Sequence, residues 1–153
     1  MLEKVYCVHN YWDMTILEGV ADFKNKKYHF KCIFSEKDDD WTDVYELKLL
    51  DDNIFKLLLE NWEYWKKWLK QTFMPHPVEY AKNRKTKTVE EIFFGKNIEK
   101  ISIEETEKYY QNEIIIQEYL KSKSSILKAK CVFFGKINGM DTNVEWTNVE
   151  KIT

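Results

Sequence analysis

The sequence predicts an α+β fold: an antiparallel sheet, built from an N-terminal three- or four-stranded meander plus a C-terminal hairpin, with two long helices packed on one face. Three observations predict it. Apolar residues alternate two by two through about the first fifty positions and again through about the last thirty. Between these regions stands DDNIFKLLLENWEYWKKWLKQTF, Asp51 to Phe73, whose apolar residues recur at three- and four-residue steps. A second run with helical spacing starts at Ile103 or Glu104 and reaches Leu120. With 153 residues, 44% hydrophobic and 33% charged, and no break in composition, the chain fits one globular domain over residues 1–153.

In chain order, Glu3 to His9 reads as a short strand that Asn10 to Asp13 interrupts. Leu17, Gly19, Ala21 and Phe23 then share one face, as do Tyr28, Phe30, Cys32 and Phe34. Lys24 to Lys27 between them reads as a tight hairpin connection, because Asn25 tolerates positive φ. Ser35 to Asp40 is an acidic loop. Beyond Trp41, the residues Tyr45, Leu47 and Leu49 alternate with Val44, Glu46 and Lys48.

The first long helix has a marked start. Asp51 can accept a bond from the free amides of the first turn, with Leu50 and Phe55 as the flanking apolar pair. Its apolar arc holds Ile54, Phe55, Leu57, Leu58, Leu59, Trp62, Trp65, Trp68, Leu69 and Phe73, wider than one sheet face covers, so a helix, a second copy of the chain or a ligand must cover the excess. Pro75 and Pro77 end it. Residues 75–89, polar and carrying Lys82, Arg84, Lys85 and Lys87, read as a mobile loop, and Glu90 to Phe94 as a short piece closed by Gly95. In the second helix Tyr109, Tyr110, Ile114, Ile116, Tyr119 and Leu120 mark the core side, with Ile115 off the pattern. The closing hairpin places Leu127, Ala129, Cys131 and Phe133 on one face, turns at Gly139, and brings Trp146 inward.

Charge and composition narrow the function. A net charge of −2 and a single arginine, Arg84, give no field for nucleic acid or an anionic membrane and little capacity for bidentate phosphate recognition. The start, MLEKVYCVHN, lacks the apolar run of a signal peptide, and no segment approaches the roughly 18 apolar residues of a membrane span, so the expected compartment is the cytoplasm. Cys7, Cys32 and Cys131 are odd in number and far apart, and read as buried thiols rather than a disulfide framework.

His9, Tyr11, Trp12 and Asp13 concentrate hydrogen-bonding groups and large rings in a strand connection, where binding groups usually sit. Asp40 and Trp41 open a connection expected at the same sheet end. Together these six residues are the candidate binding surface, although Tyr11 and Trp12 as core caps, with His9 and Asp13 bonding local backbone, is the simpler account. Asp38, Asp39, Asp40 and Asp43 lack the glycine and the ligand spacing of a calcium loop. Cys7 and His9 would share a strand face, as a thiolate–imidazole pair must, but no oxyanion-forming turn lies nearby. Neither zinc spacing nor a phosphate-cradling glycine run occurs, so no metal, cofactor or catalytic residue is assigned.

Gly19-Val20-Ala21-Asp22-Phe23, Lys27-Tyr28-His29-Phe30, Asp40-Trp41-Thr42-Asp43, Tyr45-Glu46-Leu47 and Leu59-Glu60-Asn61-Trp62-Glu63-Tyr64-Trp65-Lys66-Lys67-Trp68 follow one another in an order that resembles small uncharacterised bacterial proteins. That group carries an "ADF" turn, a "DW" and an "LE-x-W-x-x-W-x-x-W" helix. The resemblance covers roughly residues 9 to 70 and implies no activity. The functional expectation is therefore a bacterial, non-enzymatic binding or protein-interaction domain, one concrete version being an immunity or antitoxin-like inhibitor. Its partner would be a protein or a small ligand, with self-association open. The competing expectation is a small-molecule enzyme using His9 and Asp13, with Asp22 as a further acid.

Overall fold

The computed structural model describes residues 1–12, 15–71, 102–135 and 141–152, with backbone alone at 11–12 and 68–71. Six strands close into one antiparallel barrel in sequence order: β1 (Glu3–Trp12), β2 (Thr15–Phe23), β3 (Lys26–Ser35), β4 (Asp40–Leu49), β5 (Leu127–Phe134) and β6 (Asn143–Lys151). Helices α1 (Asp52–Gln71) and α2 (Ile103–Ser122) lie between β4 and β5 in the chain. The chain falls into two compact units, Met1–Leu59 with Ile114–Thr153, which holds the barrel, and Glu60–Glu113. Among the described residues no helix is long and apolar enough to cross a membrane.

The closed barrel overturns the open sheet with helices on its apolar face. The alternation itself is as expected: Leu17, Ala21, Tyr28, Phe30, Cys32, Tyr45, Leu47 and Ala129 form one buried cluster, with Phe133 and Trp146 packed against it. These side chains face one another across the barrel, however, instead of facing a helix. Interior positions alternate between small residues (Gly19, Ala21, Ala129) and rings, so the sheet can curl until its own inner face is covered. Phe30 stands at the centre, with ring centroids 5.8 Å from Tyr45, 5.6 Å from Phe133 and 5.8 Å from Trp146. Closure is made by Glu3 opposite Val144 and Lys4 opposite Asn143, with the Val5 amide donating to the Thr142 carbonyl at 3.1 Å. The helices of the barrel unit meet the outer face instead: Phe55 of α1 packs edge-on against Tyr6 at 5.0 Å, and Lys48 Nζ donates to the Leu120 carbonyl of α2 at 2.7 Å.

Local rules hold where turn and cap chemistry is strong. Lys24 and Asn25 both take positive φ, 48° and 67°, and Phe23 pairs with Lys26, which makes the two-residue hairpin that suits the strand twist. Asp51 caps α1 through its carboxylate, which accepts from the Ile54 amide at 2.8 Å. Ser102 does the same for α2, accepting from the Glu105 amide at 3.1 Å. The first strand differs from expectation. It does not stop at His9 but runs to Trp12, pairing Tyr11 with Ile16 and Trp12 with Thr15, with register shifts that bulge it between Val5 and Cys7 and again beyond Val8. The expected loop at 75–89, the helix end at Pro75, the Glu90 to Phe94 piece and the Gly139 turn lie outside the described residues.

The apolar arc of α1 is buried more narrowly than its composition suggests. Ile54, Leu58 and Trp62 are buried at four-residue steps, whereas Phe55, Leu57, Leu59 and Trp65 are half-buried. On α2 the buried apolar side chains are Ile116 and Leu120; Tyr110 and Ile114, expected inward, are exposed, and so is Ile115. In the Glu60–Glu113 unit the two helices share a polar contact. Asn112 Nδ2 donates to Asn61 Oδ1 at 2.9 Å and to Glu60 at 3.1 Å, while Asn61 Nδ2 donates to the Tyr109 carbonyl and to Glu113, each at 3.1 Å. Both asparagines are sealed from solvent, so their amides are costly unless every partner is in place.

Two outcomes test this packing. A Cβ at Gly19 would stand 2.4 Å from the Cys7 carbonyl oxygen and 2.7 Å from Phe30 Cζ. Gly19→Ala should therefore lower the unfolding free energy by about 1–3 kcal/mol in urea titration. Trp62→Ala, which empties a site only 5% exposed, should cost about 3–5 kcal/mol; unchanged stability would show that the Trp62 face is not core.

Candidate functional site: a polar cleft on the outer barrel face

The β2–β3 hairpin and its pairing with β4 set the site. Counting outward from the Lys24–Asn25 turn, Glu18 pairs with Lys31 and Val20 with His29, and across the next seam His29 pairs with Lys48 and Lys31 with Glu46. All six side chains alternate away from the barrel interior. The last turns of α2 pass over them, and between lies a half-open cleft of about 380 Å³ lined by Glu18, His29, Lys31, Glu46, Gln117 and Lys121, among others.

His29 is the buried member, 4% exposed, and its Nε2 stands 2.7 Å from Glu18 Oε1. Burial works to raise the Glu18 carboxyl, but the hydrogen bond and charge of His29, with the charges of His9 and Lys31, outweigh it and hold Glu18 below its ordinary range. An ionised carboxylate only accepts, so the proton of this bond sits on His29 Nε2. In the neutral ring Nδ1 then carries a bare lone pair. Among the described residues nothing hydrogen-bonds Nδ1, and it is not closed off from solvent.

The other polar groups of the cleft divide into engaged and available. Lys48 is spent on the Leu120 carbonyl, where a cation satisfies the open C-terminal end of α2, and Glu46 accepts from Ser125 Oγ at 3.3 Å. Among the described residues Lys31 and Lys121 have no carboxylate within ion-pair distance.

Behind His29 stands His9, whose ring lies roughly parallel at 6.3 Å and 26°. Its Nε2 is 3.4 Å from Cys7 Sγ, so the strand face expected to carry both groups does bring them together. Burial, and next the charge of His29, push His9 down to about 4. A neutral imidazole beside a sealed thiol is a hydrogen-bonded pair, not the thiolate–imidazolium that nucleophilic catalysis needs. Cys32 and Cys131 turn to the barrel side, where burial pushes Cys131 up to about 12.

Of the six residues expected to form a binding surface, His9 adjoins the cleft through its contact with His29. Tyr11 and Trp12 belong to β1, and Asp13 lies outside the described residues. Asp40 begins β4 opposite Ser35, and Trp41 packs edge-on against Phe34 at 5.0 Å while contributing to the barrel core. Glu18, His29, Lys31 and Lys121 were not singled out in the sequence. The hairpin register would have revealed three of them, because the Lys24–Asn25 turn already fixes which residues of β2 and β3 stand side by side. Among the described residues no group of three or more His, Cys, Asp or Glu is placed to hold a metal ion. Comparison with protein-family models, with curated proteins and with solved structures finds no match to this chain.

The His9 shift gives a pH prediction. Between its ordinary 6.5 and about 4 the unfolded chain binds a proton on His9 that the folded protein does not. Stability therefore falls as pH drops through that window, by up to about 3 kcal/mol. Glu18, held low in the fold, adds its own loss only below its ordinary 4.5. Urea unfolding at a series of pH values should show the upper part of this decline in the native protein and a flat line there in His9→Gln.

Proposed function

We propose that the chain is a non-enzymatic binding module of the bacterial cytoplasm, and that its ligand occupies the cleft between the outer face of β2–β4 and the last turns of α2. The observation that carries this reading is His29. It is a buried histidine, fixed on one side by Glu18, with its second ring nitrogen left for whatever enters the cleft. Concave sites of a few hundred Å³ with a small number of placed polar groups are the usual form of ligand sites. In the barrel interior Phe30, Leu47, Val5 and Val144 are packed with less than 2% of each exposed.

Reduced cysteines support the cytoplasmic placement, Cys7, Cys32 and Cys131 all being free. An immunity or antitoxin-like inhibitor is the version of this reading in which a segment of another protein fills the cleft. The enzyme version draws less support, because its base, His9, is already engaged by Cys7 and is pushed down to about 4.

Screening small charged organic molecules against the isotopically labelled protein tests the proposal. Binders should shift the backbone amides of Glu18, His29, Lys31, Gln117 and Lys121 together. Shifts confined to the exposed apolar side chains Phe34, Val132 and Phe134, or no shifts at all, would overturn it.

A further inference from the structure

The cleft sorts its available groups into one lone-pair acceptor and two cations. In the neutral form of His29, Nδ1 accepts, because Glu18 then holds the ring proton on Nε2. Lys31 reaches the cleft from β3 and Lys121 from α2, and neither is within ion-pair distance of a described carboxylate. The remaining charged groups are already used: Glu18 by His29, Glu46 by Ser125 and Lys48 by the Leu120 carbonyl. A ligand that satisfies all three available groups must offer an anionic group to the lysines and a hydrogen-bond donor to the imidazole.

We propose, resting on the reading of the cleft as the binding site, that its ligand is a small hydroxy acid whose carboxylate lies between Lys31 and Lys121 and whose hydroxyl donates to His29 Nδ1. Lysine suits this task, because a carboxylate shared by two flexible ammonium groups needs point charges and not the planar fork of arginine. The hydroxyl bond supplies selectivity, since a ligand without it leaves the desolvated imidazole nitrogen unpaired.

Malate and succinate share skeleton and charge and differ by one hydroxyl, so they serve as probes. Titrated into the full chain near neutral pH and followed by the amide shifts of the cleft, malate should bind about five- to tenfold more tightly than succinate, the difference expected of one hydrogen bond to a neutral acceptor. His29→Gln, whose amide N–H can still donate to Glu18 but whose amide oxygen does not take the place of the ring Nδ1, should bring the two affinities together by weakening malate alone. Lys121→Glu, an exposed change that spares the fold, should weaken both acids alike. Should His29→Gln fail to fold by thermal melting, the malate–succinate ratio in the native protein and the Lys121→Glu result decide. Equal affinities of the native protein for the two acids would overturn the role of His29. Binding of neither acid, or binding indifferent to Lys121→Glu, would overturn the hydroxy-acid assignment. The cleft reading itself stands or falls on the wider screen, which admits ligands of any charge.

Discussion

The barrel depends on one close approach, the Phe30 ring over Gly19. Gly19 sits where a Cβ would meet the ring at 2.7 Å and the β1 backbone, through the Cys7 carbonyl, at 2.4 Å. A missing side chain on β2 thus serves two neighbours at once: it leaves room for the backbone of β1 and for the central ring of β3. From Phe30 the packing spreads to Tyr45 on β4, Phe133 on β5 and Trp146 on β6, and Tyr45 and Phe133 also meet, at 5.9 Å. Each such ring removes about 150–250 Å² from water, so four of them at one centre supply much of the burial that a small closed sheet can gain. Trp146 completes the arrangement by donating its indole N–H to the Asp22 carbonyl on β2 at 2.9 Å, which ties the last strand to the second without leaving a polar atom unsatisfied.

Because the rings fill the inside, the polar chemistry lies outside. The backbone that points Phe30 inward points His29 and Lys31 outward, and the register that sets Phe30 opposite Gly19 sets Glu18 opposite Lys31. One slip of that hairpin would exchange the faces, burying Glu18 and Lys31 and exposing the ring. The hairpin turn, the barrel centre and the cleft are therefore one constraint seen at three positions. The outer face then gains its second wall from the chain that returns through α2, held by the Lys48 bond to Leu120 and by Tyr119, whose hydroxyl donates to the Leu49 carbonyl at 2.8 Å.

This constraint also explains what could be read from sequence. Strand faces were legible, because alternation reports which residues share a side, and the Lys24–Asn25 turn and the Asp51 cap were legible because their chemistry is local. Closure was not. An apolar face looks the same whether a helix or the opposite wall of a barrel covers it, and the small residues that permit curling read simply as weak strand formers. The cleft was hidden in the sequence for a related reason. His9, Tyr11, Trp12 and Asp13 drew notice as a cluster in the chain, whereas Glu18 and His29 are eleven residues apart and meet only through pairing. Bulges carried β1 through what the sequence marks as a break, since register shifts absorb residues that alternation counts as errors.

The electrostatics behind His29 bear on what the cleft does with a proton. Cys7 adjoins His9, His9 stacks beside His29 and His29 bonds Glu18, and a continuous relay through them would require each to gain and lose a proton in turn. His9 breaks it. Pushed down to about 4 by burial and by His29, it stays neutral across the range in which an ordinary histidine titrates, and its Nε2 faces a thiol rather than a base. Its ring meets His29 by its face, with no hydrogen bond between the two. The pair Glu18–His29 is thus backed by a neutral imidazole. That arrangement fixes one tautomer and holds it there, which suits the recognition of a donor more than the passage of a proton.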